Sequence, residues 1–465
     1  LLEEAPAAGE ETGPEEPLGP PPGAPTLTLA AAIRLALERN FALLNAADSV
    51  LSARYRVSAA RGQFYPQLIP RYQQGPAGSV LGLDVSQRVP WSGATVTATG
   101  LLTSLPSETE VVFPKTTDLR LVVSQPLLRG FGPNTTYYEL RNSERGRIGQ
   151  ERNYELNRQR LAIQVAAAFY DVVAQRQLVS VARQSLKRSD TLRRASEARL
   201  QVGLVSKLDV FRTELQSSQT EDSMVRSEAA LRTALEQFRF LLAVPPDDPL
   251  EPAPIVLEEA AAPESEPVDV LVRTAFDNRL ELKETKDQVE DARRTASLAR
   301  QNLFPQLDVG LGVAQVGLGP SYGDAWRAGD TRVNFFLATS YPVERSADRA
   351  AKAVADLDVA ARERAVRQRE LEIDSEVRVL ARDLARTRKS IELQKQAVEV
   401  AAQQRRLADL RYQRGLASNF DVVDAEGSLL QARSALVSLL ASYQVGLLDL
   451  KRAAGTLDVE KEFAP

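Results

Sequence analysis

The sequence predicts a mainly α-helical fold with a β-sheet portion, laid down twice on one plan. Three observations predict it: an internal repeat, two helical patterns too long for a globular domain, and short alternating runs between the helices. The repeat is plainest where 199–214 (RLQVGLVSKLDVFRTE) meets 411–426 (RYQRGLASNFDVVDAE), which share Arg, Gln, Gly, Leu, Ser, Asp, Val and Glu in register. Upstream, Ala60-Arg61-Gly62-Gln63-Phe64-Tyr65-Pro66-Gln67-Leu68 recurs as Ala299-Arg300-Gln301-Asn302-Leu303-Phe304-Pro305-Gln306-Leu307, and Ser124-Gln125-Pro126-Leu127 as Ser340-Tyr341-Pro342-Val343.

In chain order, residues 1–25 are rich in Pro, Glu, Gly and Ala and read as a disordered leader. Thr28 then stands as N-cap of a first helix. The first repeat covers 26–244, a Pro/Glu/Ala linker 245–267, the second repeat 268–455, and a tail 456–465. Each repeat reads helix, strands, very long helix, turn, returning helix. The long helices are expected over 134–201 and 346–413, neither with a proline after its first residues. At a rise of 1.5 Å per residue each would reach about 100 Å.

Such a helix needs partners along its length, because propensity alone does not hold it. Leu161, Val165, Ala168, Val172, Gln175, Val179, Ala182 and Leu186 follow the four-three step of a heptad seam. The second repeat answers with Ile373, Val377, Leu380, Leu384, Thr387, Ile391, Gln394 and Val398. The returning helices, 207–243 and 419–454, are half as long. Two further short helices, 41–64 and 280–304, supply the missing length, so that two short helices match one long one.

The strand runs alternate. Leu119, Leu121 and Val123 form one apolar set, Val333, Phe335 and Leu337 a second, and Leu307, Val309, Leu311 and Val313 a third. Two more runs lie within 79–102, split at Pro90-Trp91-Ser92-Gly93. These lengths approach the 9–11 residues of a bilayer-spanning strand. The opposite faces carry charges, Gly and Thr, as a water-filled lumen would, and Trp91, Tyr322 and Trp326 flank the runs as interface residues do. A small soluble sheet with one wet face gives the same alternation. Four or five strands per chain leave open edges, so a closed pore requires other copies.

Composition removes whole classes of function. With no Cys and no His, the chain lacks the thiol nucleophile, the usual base near neutral pH and the commonest metal ligands. No carboxylate spacing for a metal or a glycosidase pair, no phosphate-binding Gly loop and no nucleophile elbow is present, and Gly310-Leu311-Gly312 lies in a strand pattern. No enzyme activity, metal or cofactor is therefore expected. A net charge of -4 offers no basic field for nucleic acid. No run of 18 apolar residues marks a transmembrane helix, and a barrel strand would leave none.

The two turns have their own logic. Gly203 and Gly415 let a long helix stop and reverse. Ser206 and Ser418 are N-caps for the returning helices, with Asp209 and Asp421 in the first turn, where the helix dipole favours a carboxylate.

The paired turns, Gly203-Leu204-Val205-Ser206-Lys207-Leu208-Asp209-Val210 and Gly415-Leu416-Ala417-Ser418-Asn419-Phe420-Asp421-Val422, resemble those of the TolC-like outer membrane efflux family. Ser124-Gln125-Pro126-Leu127-Leu128-Arg129-Gly130-Phe131-Gly132 is similar to a segment typical of it, and the likeness runs over about 26–455. The resemblance implies an exit duct of a tripartite efflux or type I secretion system: a homotrimer in outer-membrane lipid, with about four strands per chain completing a 12-stranded barrel and the helices forming a periplasmic tunnel. Its implied partners are a periplasmic adaptor and an inner-membrane pump. Leu119, Leu121, Val123, Val333, Phe335 and Leu337 would face lipid. Gly203, Leu204, Val205, Ser206, Gly415, Leu416, Ala417 and Ser418 would form the adaptor-docking tip. Tyr412, Asp421 and Asp424 match the family's gate, joined here by Asp209 and Lys207. Ala417 stands where relatives carry the gate Arg, and Lys207 or Arg414 is the substitute cation. Two alternatives are a soluble coiled-coil scaffold, which leaves the duplicated strands unexplained, and a periplasmic adaptor, which carries one hairpin rather than two.

Overall fold

A computed structural model describes residues 25–76, 78–105, 114–258 and 267–463. The expected leader, apart from Pro25, and part of the expected linker lie outside them. The chain divides into two compact units: one of Leu1–Asn45, Glu155–Arg279 and Glu372–Pro465, the other of Ala46–Tyr154 and Leu280–Leu371.

The first unit begins with β1 (Thr26–Leu27) and α1 (Leu29–Arg39), whose N-cap Thr28 accepts from the Ala31 amide at 3.3 Å. α1 is followed by α2 (Phe41–Gly62). The duplication is metrical. The mates of α1 and α2 in the second repeat, Val268–Asn278 and Leu280–Gln301, have the same 11 and 22 residues. The returning helices, Lys207–Leu241 and Asn419–Ala453, have 35 each.

Four strands follow α2: β2 (Gln67–Gly75), β3 (Gly78–Arg88), β4 (Thr95–Ser104) and β5 (Lys115–Pro126). Next come α3 (Pro133–Thr136), α4 (Tyr138–Gln201), α5 (Lys207–Leu241) and β6 (Glu251–Pro252). The expected helix 134–201 is thus two helices. Tyr137, at φ -88° and ψ 3°, ends the turn that Pro133 begins, and its ring packs on Phe64 at 5.4 Å. From Tyr138 the helix runs unbroken for 64 residues, about 96 Å by the helical rise. The second repeat supplies α6 (Val268–Asn278), α7 (Leu280–Gln301), β7 (Gln306–Gly319), α8 (Tyr322–Arg327), β8 (Asp330–Ser340), α9 (Ser346–Gln413), α10 (Asn419–Ala453) and α11 (Val459–Glu462). α9 is continuous over its 68 residues.

The seams do bury. On α4, Leu161, Val165, Val172, Val179 and Ala182 are buried and Gln175 is half-buried, its amide turned to Asp171. Ile373, Val377 and Ile391 do the same on α9. Phe169 meets Phe238 edge to face at 6.1 Å. The stretch expected as linker is partly structural: β6 pairs in parallel with β1, and buried Arg176 holds it by an ion pair to Glu251 and a 2.8 Å bond to the Pro252 carbonyl. The expected tail likewise packs, with Leu457 buried just before α11 and Val459 buried within it.

The two returning helices end differently. Gly455 takes φ 69° after α10, while its counterpart after α5 is Ala243 at φ 54°. An L-residue pays about 1–2 kcal/mol for that conformation. Ala243→Gly is therefore expected to stabilise the fold by about 1 kcal/mol, read as a rise in melting temperature; an unchanged or lower temperature would refute the reading.

In the second unit one antiparallel sheet has the order β2-β3-β4-β5-β7-β8. It holds six strands where about four were expected. The strand overlooked in the sequence is β2. It contains Pro70, which breaks a strand reading, yet β2 is an edge strand, where a missing N–H is tolerated.

Candidate functional site

Directly opposed residues of an antiparallel ladder share a face. One row crosses all six strands: Leu68, Val85, Ala98, Leu121, Val313 and Val333. The neighbouring row through Leu119 runs from Pro70 and Leu83 to Gln315, and the row through Val123 runs on to Leu311 and Phe335. Leu119, Leu121, Val123, Val333, Phe335 and Leu337 therefore share one apolar face, and all six are exposed, Phe335 to 74%. The other face is more polar. Its central row is Ile69, Asp84, Thr99, Arg120, Ala314 and Arg332, and the next carries Ser86, Thr97, Val122, Gly312 and Asn334. Arg71 pairs with Asp84, and Arg120 with Asp118 at 2.6 Å.

The two tryptophans mark opposite ends of the sheet. Trp91 lies in the β3–β4 turn, and Trp326 in α8, between β7 and β8. α8 lies flat on the end of β7 because Gly317 and Gly319 carry no side chain; a Cβ at Gly317 would collide with the Ala325 carbonyl. Lys115 sits 4.9 Å from the Tyr322 ring centre.

The other candidate elements are the two turns of the first unit. Gly203 (φ 75°) and Gly415 (φ 73°) reverse the chain, with Leu204 N–H bonded to the Arg199 carbonyl at 2.9 Å and Leu416 N–H to that of Arg411 at 2.8 Å. Leu204 and Leu416 project into solvent, 74% and 69% exposed, while Val205 and Ala417 are half-buried. Ser206 and Asp209 form a capping box, as do Ser418 and Asp421. Hydrogen bonds from the backbone N–H and hydroxyl of Ser418 hold the Asp421 carboxyl below the usual carboxylate range. The cap thus works at neutral pH and fades only as pH falls through that lowered pKa. Asn419 ties the turns together, its amide donating to the Asp209 carbonyl at 2.7 Å.

Of the expected gate residues, Asp424 and Lys207 are exposed and Asp209 half-buried. Tyr412 is buried against Ala408, Val422, Ala425 and Leu192. Its hydroxyl meets Ser196 at 3.1 Å, its carbonyl accepts from Arg199 at 3.1 Å, and the Arg199 guanidinium lies 4.3 Å from the ring centre. Arg199, Ser196 and Asn419 were not singled out in the sequence. One signal pointed to Arg199: it is the repeat mate of Arg411. A charged group close by was also overlooked: Arg188 pairs with Glu426 at 2.7 Å and Arg405 with Asp409 at 3.0 Å, with burial raising the Asp409 carboxyl.

A sheet with one continuous apolar face, one more polar face and an aromatic at each end, in a chain that also carries two long helical hairpins, has the features expected of a membrane channel. Among the described residues no helix is long and apolar enough to cross a membrane. The model of the family described as outer membrane efflux protein matches residues 123–244 and 271–456, well over half the chain. The chain belongs to that family: it is an efflux channel protein of the outer membrane. Comparison with curated sequences gave no match. Among solved structures, the outer-membrane channel OprN is similar at TM-score 0.71 and 18% identity, over 92% of this chain and 90% of that one. The Campylobacter jejuni CmeC outer membrane channel is similar at 0.69 and 15%, over 93% and 88%. The open-state Neisseria gonorrhoeae MtrE outer membrane channel is similar at 0.67 and 18%, over 92% and 91%. At these identities the likeness is one of fold.

Proposed function

We propose that three copies of this chain form a gated exit duct that takes substrates from a periplasmic adaptor and inner-membrane pump to the cell exterior, without catalysing a reaction. The observation that carries this reading is the apolar face running across the whole sheet to two unpaired edges. A lone copy would set those edges in lipid, where each unsatisfied backbone group costs several kcal/mol. Two unpartnered helical stripes support the same reading. Leu208, Phe211 and Leu215 are exposed on α5, and Leu393, Val400 and Leu407 are exposed at heptad spacing on α9. Such stripes suit copy-to-copy seams.

The tip at Gly203–Ser206 and Gly415–Ser418 presents Leu204 and Leu416 to the adaptor. The gate combines Asp421 and Asp424, three of each around one axis, with Tyr412, Asp209 and Lys207. Because Ala417 cannot provide a cation, Arg199 takes that part within each copy, clamping Tyr412 by stacking and hydrogen bonding. The test is single-channel current in planar bilayers. Discrete cation-selective steps are expected, with low resting conductance that rises in Arg199→Ala. Asp421→Ala with Asp424→Ala should weaken the selectivity. Selectivity unchanged by the double variant would leave these carboxylates as helix caps only, and an absence of any conductance would sink the duct.

A further inference from the structure

We infer that the exposed side of α2 is a docking surface for α9 of a second copy, with Asp48 of one copy paired to Arg364 of the next. The inference rests on the trimeric reading above and names a helical surface through which its copies meet. It is carried by the internal repeat, which holds down to single contacts. Within the first repeat α2 packs on α4, with Arg54 3.6 Å from Glu151. Within the second, α7 packs on α9 through the corresponding pair, Arg293 and Glu363 at 2.9 Å. The buried residues correspond as well, Ala53 on α2 with Ala292 on α7.

α7 has a second neighbour that α2 lacks. Its other side lies on α4, where Arg145 pairs with Asp287 at 2.6 Å and Arg152 with Asp287 and Glu284 at 2.7 and 2.8 Å. Tyr138 meets the Thr295 hydroxyl at 2.9 Å in the same seam, and a Cβ at Gly149 would stand 3.3 Å from the Glu284 carboxylate. These contacts join the first repeat to the second. The step that would join the second repeat to a following first one is missing from a single chain, and both of its surfaces are uncovered. On α2, Asp48 and Ser52 stand where α7 has Asp287 and Asp291, and they are exposed where those two are half-buried. On α9, Leu357, Ala361 and Arg364 stand where α4 has Arg145, Gly149 and Arg152, again exposed where those are half-buried. A shallow groove on α2 is lined by Asp48, Leu51, Ser52, Tyr55, Arg56 and Ala59, all from that one helix.

Chemistry says what fills the groove. The repeat sets Arg364 opposite Asp48 as Arg152 is set opposite Asp287, and it sets Leu357 beside Ser52, between Leu51 and Tyr55. Leu357 is 68% exposed and Tyr55 67%, far more than an isolated helix face of a finished assembly would leave to water. The charges are opposite and the flanking groups are apolar on both helices, so the two surfaces complement each other and not themselves. A pair of that kind is heterologous, and it ends in a ring when rotation brings the last copy back to the first. Three copies then place six repeats in one ring, in which α4–α7 seams inside copies alternate with α9–α2 seams between them.

The chain has no cysteine, so introduced pairs are its only thiols. Asp48→Cys is combined with Arg364→Cys, and membranes are treated with a short bismaleimide before a denaturing gel. Linkage of the copies into a covalent trimer is expected. Arg54→Cys with Arg364→Cys moves the first thiol to the side of α2 that faces its own α4, and it should link no copies. Charge reversal is the second arm. Arg364→Asp should lower the amount of heat-resistant oligomer in membranes, and Asp48→Arg in the same chain should restore it, as a loss of packing alone would not. A trimer by mass in lipid nanodiscs in which Asp48→Cys and Arg364→Cys do not link, or a charge swap no better than the single reversal, overturns the seam and leaves the trimeric duct standing. A protein that remains a single chain in the membrane overturns the trimeric reading and the seam with it.

Discussion

Leu121→Arg is expected to cost about 2–4 kcal/mol if residue 121 lies at the bilayer midplane, because the lipid face of a barrel cannot solvate a guanidinium. Leu121 sits mid-strand in β5, in the row that runs from Leu68 to Val333, far from either strand end. Phe335→Arg on β8 should behave alike. On the polar face one ladder position away, Arg120 and Arg332 are already present, so Val122→Arg should be tolerated far better. The comparison is made on outer-membrane preparations, by the amount of folded, heat-resistant oligomer. Equal loss from Leu121→Arg and Val122→Arg would mean that the two faces do not see different solvents.

The second large effect belongs to the turns. Replacing both Gly203 and Gly415 by leucine should abolish export while leaving assembly and membrane insertion intact. Both glycines hold positive φ, and a Cβ at either would meet nothing within 4 Å. The damage is therefore to the backbone turn and not to packing. An L-residue there costs about 1–2 kcal/mol per turn, and the chain relieves it by moving Leu204 and Leu416 off their positions. With three copies, six tips are misplaced together. Unchanged export by the double variant would refute docking at these turns.

How much of this was readable in the sequence depended on which forces act locally. α9 could be read end to end, because a proline-free heptad pattern declares a helix wherever it lies. The caps at Ser206 and Ser418 could be read too, since a capping box needs only four residues. α4 was overextended by four residues, since Pro133 is as compatible with a helix start as with the separate turn it forms before Tyr137. β2 was missed because Pro70 argues against a strand unless the strand is known to be an edge, and edges are set by tertiary pairing. The clamp of Arg199 on Tyr412 was missed for a related reason. It joins the ends of α4 and α9, whose adjacency no local pattern encodes. The packing of β6 against Arg176 was hidden in the same way behind a Pro/Glu/Ala composition that reads as linker.

The central claim, that three copies place this sheet in the outer membrane as one channel, is tested most directly by the mass of the protein in lipid nanodiscs. The account predicts a membrane-embedded particle containing three 50.9 kDa chains, with none recovered as folded protein without lipid or detergent. A monodisperse single chain, folded and stable in plain buffer, would contradict it.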